Sequence, residues 1–355
     1  MYDPAEIPPT QATVLVMPLV LSCASQLVRK LSQVWFVLAL LVILTCWLSG
    51  SFASRAAYKL RLLRLQTAED LSIIIGIVAA RALFIFCRPF IRVRHVPTAG
   101  GRRPCHPWLG GANWHLDDDA RTEEERTLAP TAADVESSVP HEPRPRMILM
   151  NHTSFLDFFL ISSMLTYKLI RRTHVRCVVA SKLTELPCFG KGIGEYSGSF
   201  PVYFKSTEGG ISGGEGASFS VEREKQEAES ERMRAHVQNG GALAICPEGT
   251  VSRDPPDLQA FRHGSFKMAI EHGMPIWAVV FVGCNLCWPK GIGIGGYPCE
   301  IVVSEPVHLM TPTADMSAER VSSECRQQMQ EIVNTLRSVN HAPTHSTREH
   351  EHAHE

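Results

Sequence analysis

The chain has 355 residues, enough for one large domain or two ordinary ones with an ample core. Its 35 Lys and Arg against 36 Asp and Glu give a net charge of -1, so bulk electrostatics make no case for nucleic-acid binding. The 11 cysteines are scattered, and the close pair Cys284 and Cys287 has no second pair at zinc-finger spacing, which reads as mostly buried thiols of a reducing compartment. A redox or zinc role is the lesser alternative.

Residues 1–11 are polar and lack the basic start of a secretory signal. From Ala12 to Phe52 the chain is strongly apolar, interrupted chiefly by Arg29 and Lys30. Leu31 to Phe52 carries no charge and has about the length that crosses a bilayer as a helix, which makes it the best transmembrane candidate. Ala12 to Val28 is shorter and reads as half of a hairpin with it or as a second span. Arg55, Lys59, Arg61 and Arg64 then alternate with leucines, the pattern of a basic interfacial helix. A third apolar stretch, Leu71 to Ile91, is broken by Arg81 and Arg88 and suits half-insertion or packing on a soluble domain. Basic residues flank the candidate span on both sides, so the positive-inside rule does not fix its direction.

The division predicted from these shifts is a membrane-associated helical region at 1–94, a disordered polar linker at 95–146, a folded domain at 147–340 and a His-rich disordered tail at 341–355. Within the domain, 206–220 is a Gly- and Ser-rich insert. Apolar runs at 147–150, 175–180, 200–204, 242–246, 275–282 and 300–303 predict strands. Helical patterns cover 155–170, 221–238, 258–272 and 316–338. That alternation indicates an α/β fold with a largely parallel or mixed sheet flanked by helices.

The stretch with most chemistry is Met147 to Asp157, MILMNHTSFLD. A short buried strand runs into a polar turn, and Ser154 or Thr153 is placed to cap the helix that follows. His152 and Asp157 at this spacing suit a dyad: the carboxylate accepts from one ring nitrogen, and the other is left as a base toward a hydroxyl attacking an acyl carbonyl. Three further blocks follow at strand ends: Gly198 to Lys205 (GSFPVYFK), Ile245 to Thr250 (ICPEGT) and Gly273 to Phe281 (GMPIWAVVF). The glycines of KGIGIGGY, Lys290 to Tyr297, do not complete a phosphate-loop pattern. Asn151-His152-Thr153 matches a glycosylation sequon, and a glycan there would block the base, which favours a cytosolic face.

In order and spacing, NHTSFLD followed at a distance by PEGT resembles the glycerolipid acyltransferases, specifically the 1-acylglycerol-3-phosphate acyltransferase family, over about residues 145–310. The resemblance implies a glycerolipid-acyltransferase-like mixed sheet with a membrane-anchoring N-terminal region, His152 as catalytic base and Asp157 as its orienting partner. The substrate-binding set it implies is Asn151, Ser154, Lys205, Glu248, Gly249 and Thr250. Lys205 stands where the family usually has arginine, and Val251 where many members have arginine, with Arg253 as a substitute; Arg262, in the LQAFRHGSF block that fits the family's stretch after PEGT, is an extra cation. The expected reaction is acyl transfer from acyl-CoA to 1-acylglycerol 3-phosphate, giving phosphatidic acid, with no metal or other cofactor. The implied partners are the lysophospholipid, acyl-CoA and a bilayer, with an endoplasmic-reticulum membrane as the location. A different acceptor, glycerol 3-phosphate or a lysophospholipid with a larger head group, stays open, as does a non-catalytic lipid-binding protein.

Overall fold

The computed structural model describes residues 11–96, 146–186, 189–204, 222–252, 255 and 257–341, with the side chains of 11–24, 168 and 339–341 excepted. Most of the expected linker, Lys205, the 206–220 insert, Arg253 and nearly all of the tail therefore lie outside the described residues.

The domain is built on two sheets. Strands β1 (Ile91–Val96), β2 (Met147–Met150), β3 (Arg176–Ala180), β4 (Phe200–Val202), β5 (Leu243–Ile245), β6 (Ile276–Val279), β7 (Phe281–Val282), β8 (Cys299–Ser304) and β9 (Val307–Met310) are arranged as β4-β3-β5-β2-β6-β9 and β1-β8-β7. The first sheet is parallel from β4 to β6, and β9 joins antiparallel to β6. Central strand β2 is apolar at every position because both of its faces are covered. Met147 and Leu149 point into one core and Ile148 and Met150 into the other, the period of two that a pleated strand imposes.

Helices α3 (Leu156–Met164) and α4 (Tyr167–Thr173) occupy the stretch expected to be one helix. The break falls at Thr166, whose hydroxyl accepts from Leu169 N at 3.1 Å and starts a second helix. Helix α5 (Arg223–Gln238) is charged and buries Val237, whereas α6 (Gly264–Glu271) seats Phe266, Met268 and Ala269 in the core. Helix α7 (Cys284–Cys287) is a single turn. In α8 (Ala318–His341), Ala318, Val321, Cys325, Met329, Val333 and Leu336 form one buried stripe at helical spacing.

The N-terminal region differs from its expected layout. One helix, α1 (Gln11–Lys59), runs unbroken through the positions expected to separate two spans. Arg29 does not interrupt it, since its guanidinium lies 4.2 Å above the Tyr297 ring. A tight turn leads into α2 (Leu65–Cys87), which takes up the third apolar stretch. Phe36, Leu40, Ile43, Trp47, Ser51 and Ser54 make a buried stripe on α1, whereas Leu31, Val34, Leu38, Leu41 and Val42 on its other side are exposed. Gly76 lets α2 approach Trp47, and Gly50 lets α1 approach Ile75. The hairpin lies lengthwise on the α/β domain, from Phe36 against Trp288 to Arg55 against Glu195. The expected boundary at 94/95 falls inside β1, which pairs in parallel with β8 and so belongs to the domain sheet. An apolar cavity of about 50 Å³ remains where Trp47 and Gly76 face Phe158 and Phe159.

Candidate active site

The turns after β2 and β5 lie side by side, because the two strands are parallel neighbours and end at the same edge of the sheet. Open α/β sheets place their sites there. In the first turn His152 Nδ1 lies 3.1 Å from Asp157 Oδ2. With a carboxylate as its partner, Nδ1 carries the proton and Nε2 is the basic nitrogen. His152 keeps a quarter of its side chain exposed, Asp157 is buried, and Nε2 has no partner among the described residues.

Asp157 is fixed by its own turn. Its Oδ2 accepts from Thr153 N at 2.5 Å and Ser154 N at 2.8 Å. Position 157 lies in the first turn of α3, where the helix dipole favours an anion. Ser154 Oγ accepts from Leu156 N at 3.1 Å, satisfying a donor of that first turn, and donates to Trp288 O at 2.9 Å. The expected cap differs in detail: the N-cap is Phe155, which makes no side-chain cap bond, and Ser154 acts from one position before it.

The remaining site positions hold the turn from behind. Asn151 is fully buried: its Nδ2 donates to Phe281 O at 2.7 Å and its Oδ1 accepts from Phe281 N at 3.0 Å, so it bridges β2 to β7 where the two sheets separate. Glu248 is also buried, one oxygen accepting from His152 N at 2.8 Å and the other from Gln259 N at 3.0 Å. Burial pushes its carboxyl above the ordinary range, and those two N–H groups partly offset the rise. Ser252 N donates to His152 O at 2.6 Å, so both backbone groups of His152 are held by the segment after β5.

Gly249 has φ +72 and allows that segment to turn sharply ahead of half-buried Thr250. A Cβ at 249 would stand 3.5 Å from Arg262 Nε, which puts this exposed cation beside the PEGT turn. The supports Ser252, Phe281 and Trp288 were not apparent from sequence, and neither was Arg326, which donates to Leu258 O at 2.6 Å and to Gln259 O at 2.9 Å. Most of these contacts use backbone atoms of distant residues, for which sequence offers no local signal.

Two thiols lie close to the dyad. Burial, then the nearby Asp157, holds Cys246 and Cys284 well above the ordinary thiol value. At neutral pH neither supplies the thiolate that a covalent acyl carrier needs. Among the described residues no group of three or more His, Cys, Asp or Glu is arranged to hold a metal ion.

Residues 134–282 match the family model described as Acyltransferase. No curated protein matches the chain. Among solved structures, it is similar to the 1-acyl-sn-glycerophosphate (LPA) acyltransferase PlsC from Thermotoga maritima, with a TM-score of 0.50 and 16% identity over 88% of this chain and 98% of that one. At that identity the likeness is one of fold. Over residues 134–282 the chain is thus similar to the Acyltransferase family model, and its fold is similar to that of an LPA acyltransferase.

Proposed function

We propose that the protein is a membrane-bound enzyme that transfers a fatty acyl group from acyl-CoA to the free hydroxyl of 1-acylglycerol 3-phosphate. The observation that carries the reading is the His152–Asp157 pair, with Nδ1 bound to the carboxylate and Nε2 unpartnered among the described residues. Nε2 takes the hydroxyl proton as that oxygen bonds to the thioester carbonyl carbon. The tetrahedral intermediate collapses by breaking the C–S bond, and the leaving CoA sulfur takes the proton back from the imidazolium. No acyl-enzyme forms, in keeping with the raised thiols of Cys246 and Cys284. No metal or organic cofactor enters this scheme.

Arg262 beside Gly249 is the cation assigned to the substrate phosphate; Thr250 and Lys205 are assigned to the same substrate from the sequence motifs alone. The roles assigned to Asn151, Ser154 and Glu248 are positioning ones, since their polar atoms already bind backbone. Two helices, Ser25–Lys59 within α1 and Leu65–Cys87, are long and apolar enough to cross a membrane. Because the hairpin also packs on the domain, the reading adopted is an anchor whose outer apolar side meets lipid, in an endoplasmic-reticulum membrane with the domain in the cytosol. A larger acceptor head group is the second reading, favoured by lysine at 205 and valine at 251.

The test is CoA release by the membrane-embedded protein from oleoyl-CoA and lysophosphatidate, beside His152→Ala. Release that requires the acceptor and collapses in the variant supports the reading. Release that survives the substitution overturns the dyad, and a panel of acceptors decides the head group.

A further inference from the structure

The glycine-rich loop between α7 and β8, Trp288 to Gly296, has no part in the chemistry above, yet it is built into the site. Its first residue receives the Ser154 hydroxyl at Trp288 O, one position from the dyad turn's Phe155, whose ring lies 5.9 Å from the Trp288 ring. Its far end is fastened to the anchor. Ser32 Oγ donates to Gly296 O at 2.5 Å, and the Phe36 and Trp288 rings meet edge to face at 5.8 Å. Gly296, at φ +102, packs so closely on Phe36 that a Cβ would stand 2.5 Å from that residue's own. Cys287 O closes the loop by accepting from Gly296 N and Tyr297 N at 2.9 and 3.1 Å.

Between these fixed ends the chain turns outward. Ile292 and Ile294 are 39% and 47% exposed, and Leu286 at the loop's base is 56% exposed. Large apolar side chains exposed within one short segment are unfavourable in water and call for a partner. The part of α1 that holds the loop through Ser32 and Phe36 also carries the exposed Leu27, Val28 and Leu31, so both elements present apolar side chains to the outside. The exposed cations Lys30 and Lys290 stand next to these residues in the chain. Apolar tips edged by lysines match a phospholipid surface, with acyl chains below and phosphates above. The loop forms no strand or helix from 288 to 298, so its backbone needs water or head-group partners. That limits it to the interface.

We propose that the loop Trp288–Gly296 enters the lipid interface beside α1, with Ile292 and Ile294 among the upper acyl chains and Lys290 at the phosphates. The inference rests on the membrane-bound reading above. Because Trp288 O holds Ser154, the inserted loop fixes the height of the His152 turn relative to the bilayer. A lysophospholipid hydroxyl then meets Nε2 without leaving its leaflet.

The test uses the full-length protein carrying Ile294→Cys, labelled with an environment-sensitive fluorescent maleimide on vesicles of phosphatidylcholine and phosphatidate. Glu227→Cys on α5 provides an exposed reference, and wild type carried through the same labelling gives the background from native thiols such as exposed Cys46. The expected result is that lipids doxyl-labelled near the glycerol end quench the 294 label several-fold more than the 227 label, while aqueous iodide does the reverse. Equal access of iodide to both labels, on protein that floats with the vesicles, overturns the loop's insertion and leaves the anchor standing. Protein that fails to float with the vesicles overturns the membrane-bound reading and the loop's insertion together.

Discussion

Two histidine–carboxylate pairs sit at opposite ends of the sheet. His152–Asp157 follows the C-terminal end of β2, with Nδ1 3.1 Å from the carboxylate. His174–Asp70 precedes β3, with Nδ1 2.7 Å from its carboxylate. Neither distance nor exposure separates them, since 25% of one imidazole and 28% of the other are exposed. What separates them is how each acid is held. Asp157 is fixed by N–H groups of its own turn and has no cation against it among the described residues. Asp70 is shared with buried Arg176 at 2.8 Å, which also reaches Glu69 at 3.1 Å. The second cluster fastens α2 to β3. The catalytic role proposed for His152 rather than His174 rests on this difference in how the two carboxylates are held.

The largest expected effect separates the two pairs directly. His152→Ala should lower CoA release by about 10² to 10⁴, the usual worth of a general base, and leave the melting temperature unchanged. His174→Ala should do the opposite. If both substitutions cost activity per folded molecule equally, the functional distinction between the pairs fails.

Next comes Arg176→Met, which keeps the side chain's bulk and leaves Asp70 and Glu69 without their cation. Removing one partner of a buried pair costs about 3 to 5 kcal/mol, read as a fall in unfolding free energy in detergent at unchanged turnover per folded protein. A change well under about 1 kcal/mol would mean that the cluster does not fasten the hairpin.

How far each pair was legible in the sequence follows from chain distance. His152 and Asp157 are five positions apart, and one turn brings them together, so a local pattern was enough. Asp70 meets His174 and Arg176 across 104 and 106 positions, a separation that no local pattern reveals. The same holds for the turn's supports. Asn151 and Ser154 bind Phe281 and Trp288 across 130 and 134 positions, which is why they read as substrate contacts. Buried parallel strands such as β2 and β5 were legible as apolar runs. Strand β1 was not, because IRVRHV alternates with charge and its partner β8 lies some two hundred positions on. The continuity of α1 was hidden by Arg29 and Lys30, of which Arg29 finds the face of Tyr297.

A third histidine sharpens the contrast by pH. His236 donates from Nε2 to Ala242 O at 3.2 Å, and burial, reinforced by Arg176, lowers it from 6.5 to about 4. The unfolded chain therefore binds more protons between those values. Stability should be fully present above about 6.5 and be lost progressively as pH falls through 4, by up to about 3 kcal/mol. His236→Gln, which retains a donor for the carbonyl, should flatten that loss in urea titrations run at several pH values. An unchanged slope would show that another group carries the acid sensitivity.

The smallest effect concerns what Glu248 is for. Glutamine at 248 keeps one carbonyl oxygen and sets an amide N–H₂ against the other backbone donor, either His152 N or Gln259 N. One buried N–H left facing a donor costs about 1 to 3 kcal/mol. Part of this is returned at neutral pH: burial raises the wild-type carboxyl, so wild type loses stability as pH rises from the ordinary carboxylate range through the raised value, and glutamine does not. The gap between the two proteins should therefore narrow as pH rises. The kinetic outcome decides the role. A positioning residue that lets the His152 backbone drift lowers kcat, by up to about 10²-fold, with KM for lysophosphatidate nearly unchanged. A residue that binds the substrate raises KM instead, and a KM effect alone would return Glu248 to the substrate-binding set that the sequence implied.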